Sequence, residues 1–238
     1  DDALPPAARC VDFPLNDYGN GRRLIEHFGS DLLFVPRVGW FLWADTRYAP
    51  DPDEIAVRRR AHQMTALIEA EIEWMTLPDA EMEVLAEAEA AQAILDELGV
   101  IAAKDRTDDQ LEQMIRANKL IAAAKDIKDR RDKSIGRRLT HAKNAGNSNT
   151  MNNMVAEAGA QIARSLDDLD KDPLVINTLG GVLRFGTVPG EDDGGQNPPA
   201  PVATVERLDH ARDQLLTKIM PVNLNPAATC PRFIAFLD

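Results

Sequence analysis

The chain has 238 residues, 44% hydrophobic and 28% charged, enough to bury a sizeable core in one large domain or two small ones. Its formal net charge of −12 argues against wholesale wrapping of nucleic acid, because a uniformly acidic surface repels phosphate, but leaves room for a local basic patch. No run approaches the roughly 18 apolar residues that would span a bilayer, and the start, Asp1-Asp-Ala-Leu-Pro-Pro, has neither the charges nor the apolar stretch of a signal peptide. The first residue is not Met, which points to a piece of a longer protein. Cys10 and Cys230 lie far apart in sequence and read as a reduced cytosolic pair rather than a staple.

Residues 1–16 are Pro-rich and irregular, a leader lying on the surface. Asn16 or Asp17 caps a short helix over about Asn20–Phe28, closed by Gly29. Leu32–Val35 and Trp40–Trp43 form a strand pair around a Pro36–Gly39 turn, and Asp45 and Thr46 turn the chain again before Arg47 and Tyr48. The Trp and Tyr residues of this meander are core rather than a ligand platform. From Asp53, an expected N-cap after Pro52, to about Thr76 the apolar residues Ile55, Met64, Leu67, Ile68 and Ile72 recur at helical spacing. A second helix runs from Asp79 to Leu98, and a third from about Asp109 to Lys133. Serial helices with short breaks read as antiparallel hairpins.

Charge is polarised along these helices. Residues 69–97 hold ten acidic side chains and no Lys or Arg, whereas 125–143 hold eight Lys or Arg against three Asp. One reading makes these the solvated faces of neighbouring helices, with Glu69, Glu73 and Glu83 exposed. The other makes Lys125, Lys128, Arg130, Arg131, Lys133, Arg137, Arg138 and Lys143 a phosphate-binding strip, weakened by the interleaved Asp126, Asp129 and Asp132. Gly136 and the Asn-rich stretch 144–153 are expected to interrupt helicity, with a last helix over about Asn152–Leu166. Leu174–Ile176 and Val182–Phe185, around Asn177–Gly181, form a hairpin that needs a third strand or a helix to cover it. Gly190–Pro201 reads as a mobile loop, Leu215–Val222 as a further strand, and Arg232–Asp238 as the start of a helix that Pro231 opens.

Chemistry is hard to find. There is no G-x-x-x-x-G-K-[ST] or G-x-G-x-x-G phosphate loop. His27, His62, His141 and His210 have no second ligand at i, i+3 or i+4, so a zinc or di-metal site is unsupported. Neither cysteine has a neighbouring His to activate it. The residues name no catalytic centre.

Three ordered blocks carry a resemblance. The first is Asp17-Tyr-Gly-Asn-Gly-Arg-Arg-Leu24 with His27-Phe-Gly-Ser-Asp-Leu-Leu-Phe-Val35 and Gly39-Trp-Phe-Leu-Trp43 to Tyr48. The second is Leu169-Asp-Lys-Asp-Pro-Leu-Val-Ile-Asn-Thr-Leu-Gly-Gly-Val-Leu183. The third is Thr217-Lys-Ile-Met-Pro-Val222, Pro226-Ala227 and Cys230-Pro-Arg-Phe-Ile-Ala-Phe-Leu-Asp238. Together they resemble the N-terminal helicase-associated domain of phage and plasmid primase-helicases, shared with poxvirus primase-helicases, over roughly 13–238. The helices at about 76–120 look like an acidic insertion. Departures fall at Gly21, at Asp45–Tyr48, where the family carries a Gly-x-x-Trp turn, and in the longer loop from Gly186 to about Val202.

The residues and the resemblance together lead to an α+β fold, mostly helical, with a small antiparallel sheet built from hairpins near 32–48 and 174–185 and a strand near 215–222. The resemblance implies a non-catalytic adaptor or collar between a primase region and a superfamily 3 helicase ATPase in a bacterial cytoplasm. Such a module aids assembly of a hexameric ring and handles single-stranded DNA. No cofactor belongs to this segment; ATP and Mg belong to the implied downstream motor. The competing expectations are a purely structural oligomerisation domain that never touches DNA and a metal-dependent hydrolase among the acidic helices.

Overall fold

A computed structural model describes residues 4–190, 200–223, 225 and 227–237. Among these described residues, eight α-helices and six strands follow in the order α1 (Pro6–Cys10), α2 (Asp17–Phe28), β1 (Leu32–Val35), β2 (Gly39–Trp43), β3 (Tyr48–Asp51), α3 (Ile55–His62), α4 (Met64–Ala70), α5 (Asp79–Gly99), α6 (Asp108–Ala145), α7 (Ser148–Ile162), β4 (Val175–Thr178), β5 (Gly181–Val188), β6 (Val202–Leu208) and α8 (Pro231–Leu237). No helix among the described residues is long and apolar enough to cross a membrane. The architecture is α+β, as expected, but the strands form two antiparallel three-stranded sheets, β1-β2-β3 and β4-β5-β6, rather than one.

The first sheet is buried on both faces. Alternation along β1 and β2 sends Leu32 and Trp40 into a helical core with Leu24, Val57, Met64, Ile68, Ala142, Met151, Met154 and Ala158. Leu33, Val35, Phe41 and Tyr48 point the other way and pack on Leu169 with Trp43 and Leu215. The aromatic meander is therefore core. Trp40 is 2% exposed, and α7 approaches so closely that a Cβ on Gly159 would stand 3.1 Å from the Trp40 ring.

Several boundaries differ from the sequence expectation for local reasons. α2 begins at Asp17, because the Asn16 side chain accepts from the Gly19 amide at 2.8 Å. The capping of α3 falls not to Asp53 but to Asp51 at the end of β3. Its carboxylate accepts from the amides of Ala56 and Val57, each at 2.9 Å, across a left-handed Glu54 (φ 56°). α6 does not stop at Lys133 but runs 38 residues through Gly136. One glycine costs a helix about 1 kcal/mol, and burial of Arg138, Ala142 and Ala145 beyond it outweighs that. The real break is Gly146–Asn147, so α7 starts four residues early, with Met151 buried. It ends at Ile162, where Ala163 turns extended and the Arg164 amide donates to the Phe34 carbonyl at 2.9 Å, docking the chain on β1. The leader is not wholly irregular: α1 buries Cys10 completely.

Residues 215–222 correct another expectation, since they are a strap rather than a strand. Leu215 is left-handed (φ 49°), which breaks strand geometry at its start. The strap then stitches the two sheets together. The Tyr48 amide donates to Leu216 O at 2.8 Å on one side, and the Met220 amide to Asn177 O at 2.8 Å on the other. The third strand of the second sheet is instead β6, paired along β5 from Val182–Leu208 to Val188–Val202. Of the expected Gly190–Pro201 loop, residues 191–199 lie outside the described residues.

Candidate nucleic-acid interface

The acidic α5 and the first half of α6 form an antiparallel helical arm. Alanines dominate the buried residues of its seam: Ala88 and Ala91 on α5, Ala117 and Ala124 on α6, with Leu98 and Ile127 buried beside them. Small residues let the two backbones approach closely, which explains how so charged a sequence still pairs. α6 continues past the arm into the body of the protein. Over its 38 residues it is about 57 Å long at 1.5 Å per residue.

All eight residues of the predicted strip lie on α6, but the helix does not put them on one face. Arg130, Lys133 and Arg137, at i, i+3 and i+7, share a side with Thr140. With Gly136 they line an open hollow of about 880 Å³, and a Cβ on Gly136 would meet nothing within 4 Å. Lys125 and Lys128 sit elsewhere, over the α5–α6 seam beside Glu89, Gln92 and Ile121. Arg131 and Lys143 are exposed on other sides of the helix. Arg130 is partly engaged by Glu81 at 3.0 Å across the seam. Asp126 and Asp129 stand one turn before Arg130 and Lys133, so the stripe is cationic with acidic company rather than uniformly basic.

Arg138 belongs to a different structure. It is 7% exposed, and its guanidinium donates to the Glu71 carboxylate and to Val11 O at 2.6 Å. Glu71 also takes Nε of Arg23 at 2.7 Å and its Nη2 at 3.1 Å, with Arg23 and Glu71 both fully buried. Arg23 also donates to Pro14 O at 2.8 Å, Phe13 O at 2.9 Å and Cys10 O at 3.3 Å. Two arginines from α2 and α6 thus close on one glutamate and clamp the 11–14 segment over them. Burial pulls the Arg23 guanidinium down to about 10 and also lowers Arg138. Beside them, His141 Nε2 meets Asn20 Oδ1 at 2.7 Å; burial, then the charges of Arg23 and Arg138, lower its pKa. Burial pushes the Cys10 thiol up to about 11, which makes it a poor nucleophile.

The sequence gives no sign that Glu71, Arg23 and Arg138 meet, and His141, weighed there only as a metal ligand, instead bonds Asn20. Nothing in the acidic run distinguishes Glu71 from its neighbours Glu69 and Glu73, which are exposed. Among the described residues no group of three or more His, Cys, Asp or Glu gathers to hold a metal. The clamp is chemically a scaffold, because its two guanidiniums share one buried carboxylate and turn their other bonds to backbone carbonyls rather than to solvent. Arg138 is the one residue of the predicted strip that is buried; the other seven are exposed, and Arg130, Lys133 and Arg137 share one side of the helix, where their chemistry suits anionic oxygens.

Residues 21–238 match the family model described as D5 N terminal like. A comparison with individually characterised proteins finds no match.

Proposed function

The chain belongs to the D5 N-terminal-like family, the N-terminal domain of phage and plasmid primase-helicase proteins, and from that premise we propose that it serves as a non-catalytic adaptor or collar that holds single-stranded DNA. In this reading the strand passes over the Arg130–Lys133–Arg137 stripe of α6 on its way between a primase region and a ring-forming motor. The motor, with its ATP and Mg, lies outside this segment, in a phage- or plasmid-encoded protein working in bacterial cytoplasm. The observation that carries the reading is that three cations of one helix open onto a shared hollow in a chain whose net charge is −12. Contacts of this kind bind the backbone without reading sequence.

A second reading is favoured by the acidic α5, of whose carboxylates Arg130 engages Glu81. It makes the domain an oligomerisation module in which the acidic arm of one copy meets the basic stripe of the next, a head-to-tail contact that closes rings. Titration of a labelled single-stranded oligonucleotide separates the two. The adaptor reading expects binding that weakens with salt and is lost in the triple variant Arg130→Ala/Lys133→Ala/Arg137→Ala. Sedimentation that depends on those residues, with no binding of DNA, supports the module reading instead.

A further inference from the structure

The protein carries 39 Asp and Glu among 238 residues, yet neither 55–68 nor 143–156 contains one. The fold brings these two segments together. α3 and α4 bury Val57, Ala61, Met64 and Ile68 in the helical core, and α7 buries Met151, Met154, Val155 and Ala158 in the same core. That pattern turns Ile55, Arg58, Arg59 and His62 outward on α3, at i, i+3, i+4 and i+7, and Asn149, Asn152 and Asn153 outward on α7. The two faces meet where the Arg58 guanidinium donates to the Asn152 side-chain oxygen. α7 follows directly on α6, and α4, which continues α3, adjoins the end of α6: Thr65, three residues past His62, approaches Gly146 so closely that a Cβ there would stand 3.1 Å from its hydroxyl. Lys143 is exposed at that end, about 20 Å along the helix from Arg130.

We propose that this α3–α7 face is a second contact surface for single-stranded nucleic acid, continuing the path from the Arg130–Lys133–Arg137 stripe around the α6–α7 corner. The inference rests on the DNA reading above. Arg59, Lys143 and the outer nitrogens of Arg58 neutralise phosphates, while the Asn149 and Asn152 amides, each able to donate and accept, bond sugar and base edges without requiring one sequence. Asn153 is already occupied in part, donating to Asp17 Oδ2 at 2.7 Å, which ties the nearest α2 carboxylate to the protein. Asp53 and Glu54 mark where the surface ends at the start of α3. Arg60 is not part of it: that side chain turns away to the Phe28 ring, 5.2 Å from its centroid, and to Asp31.

The experiment is a salt titration of a thirty-residue oligothymidylate by fluorescence anisotropy with three proteins: wild type, Arg59→Glu/His62→Glu, and Arg130→Ala/Lys133→Ala/Arg137→Ala. Residues 59 and 62 are both exposed, so the first variant keeps the fold, which circular dichroism verifies. The proposal expects that variant to bind at least tenfold more weakly than wild type. It also expects 5-iodouracil crosslinks from the wild-type complex to map to residues 55–62 or 149–153. Wild-type affinity in the α3 variant, or crosslinks confined to α6, overturns it. Loss in the α6 variant alone leaves the stripe reading standing and removes this one; loss in the α3 variant alone does the reverse; a wild-type protein that binds no oligonucleotide removes both.

Discussion

Glu71 and Arg23 form a two-point ion pair, Nε to Oε1 at 2.7 Å and Nη2 to Oε2 at 3.1 Å, with neither side chain exposed to solvent. Removing one partner of a buried pair strands the other charge in a medium that solvates it poorly, and here a second guanidinium, Arg138, depends on the same carboxylate. Glu71→Ala is expected to lower unfolding free energy by about 3–5 kcal/mol, measured by urea denaturation. Exposed Glu69→Ala in the same acidic run is expected to change it by under about 0.5 kcal/mol.

Acid should weaken the same region. Burial and the charges of Arg23 and Arg138 hold the His141 pKa below its ordinary value, and burial does the same at His27. The unfolded chain takes up protons on these rings as pH falls through about 6.5, while the folded chain resists until a lower pH. Stability contributed by the neutral rings is therefore complete above about 6.5 and drains away below it. Denaturation midpoints at pH 7.5 and 5.5 are expected to differ in that direction, and His141→Gln to reduce the difference.

Asn177 joins the two sheets. Its Nδ2 donates to Thr46 O in the β2–β3 turn and to Lys218 O in the strap, both at 2.9 Å, and the residue is 6% exposed. Asn177→Ala leaves two carbonyls without that donor and is expected to cost about 1–3 kcal/mol. Asn177→Asp is expected to cost more, because a carboxylate oxygen would then face two carbonyl oxygens. Thermal unfolding of the two variants side by side gives the order.

Gly21 sits where α2 and α7 approach closely. A Cβ there would stand 2.8 Å from Glu157 Cβ and 2.9 Å from the Ala158 nitrogen. Gly21→Ala must push the helices apart, and overpacking of this kind costs about 1–3 kcal/mol. A Gly136→Ala control, where nothing lies within 4 Å, is expected to stabilise α6 instead.

These residues also mark how far the sequence could be read. Periodicity gave α5 almost to the residue, and apolar runs bounded by turn residues gave β1, β2 and the β4–β5 hairpin, because those signals are local. It failed where distant contacts decide. α6 crosses Gly136 because Arg138 and Ala142 are buried on elements far away in sequence, and 215–222 is a strap because Tyr48 and Asn177 hold it from either side. The third strand of the second sheet is hidden because β6, with the pattern exposed-exposed-intermediate-exposed, buries too little to announce itself. Within the basic strip, helical spacing puts Arg130, Lys133 and Arg137 on one side, but it aligns Lys128, Arg131 and Arg138 just as well. What it could not give is that Arg138 faces a buried Glu71, since one glutamate among ten acidic residues carries no mark of its partner.

Binding of a single-stranded oligonucleotide as a function of salt, with wild type and Arg130→Ala/Lys133→Ala/Arg137→Ala compared, tests the adaptor reading most directly. Each phosphate neutralised on a single strand contributes about −0.7 to the slope of log affinity against log salt. The account predicts a measurable wild-type slope that becomes shallower by about 2 when the three cations of the stripe are removed. An affinity and slope unchanged by the triple substitution would contradict it.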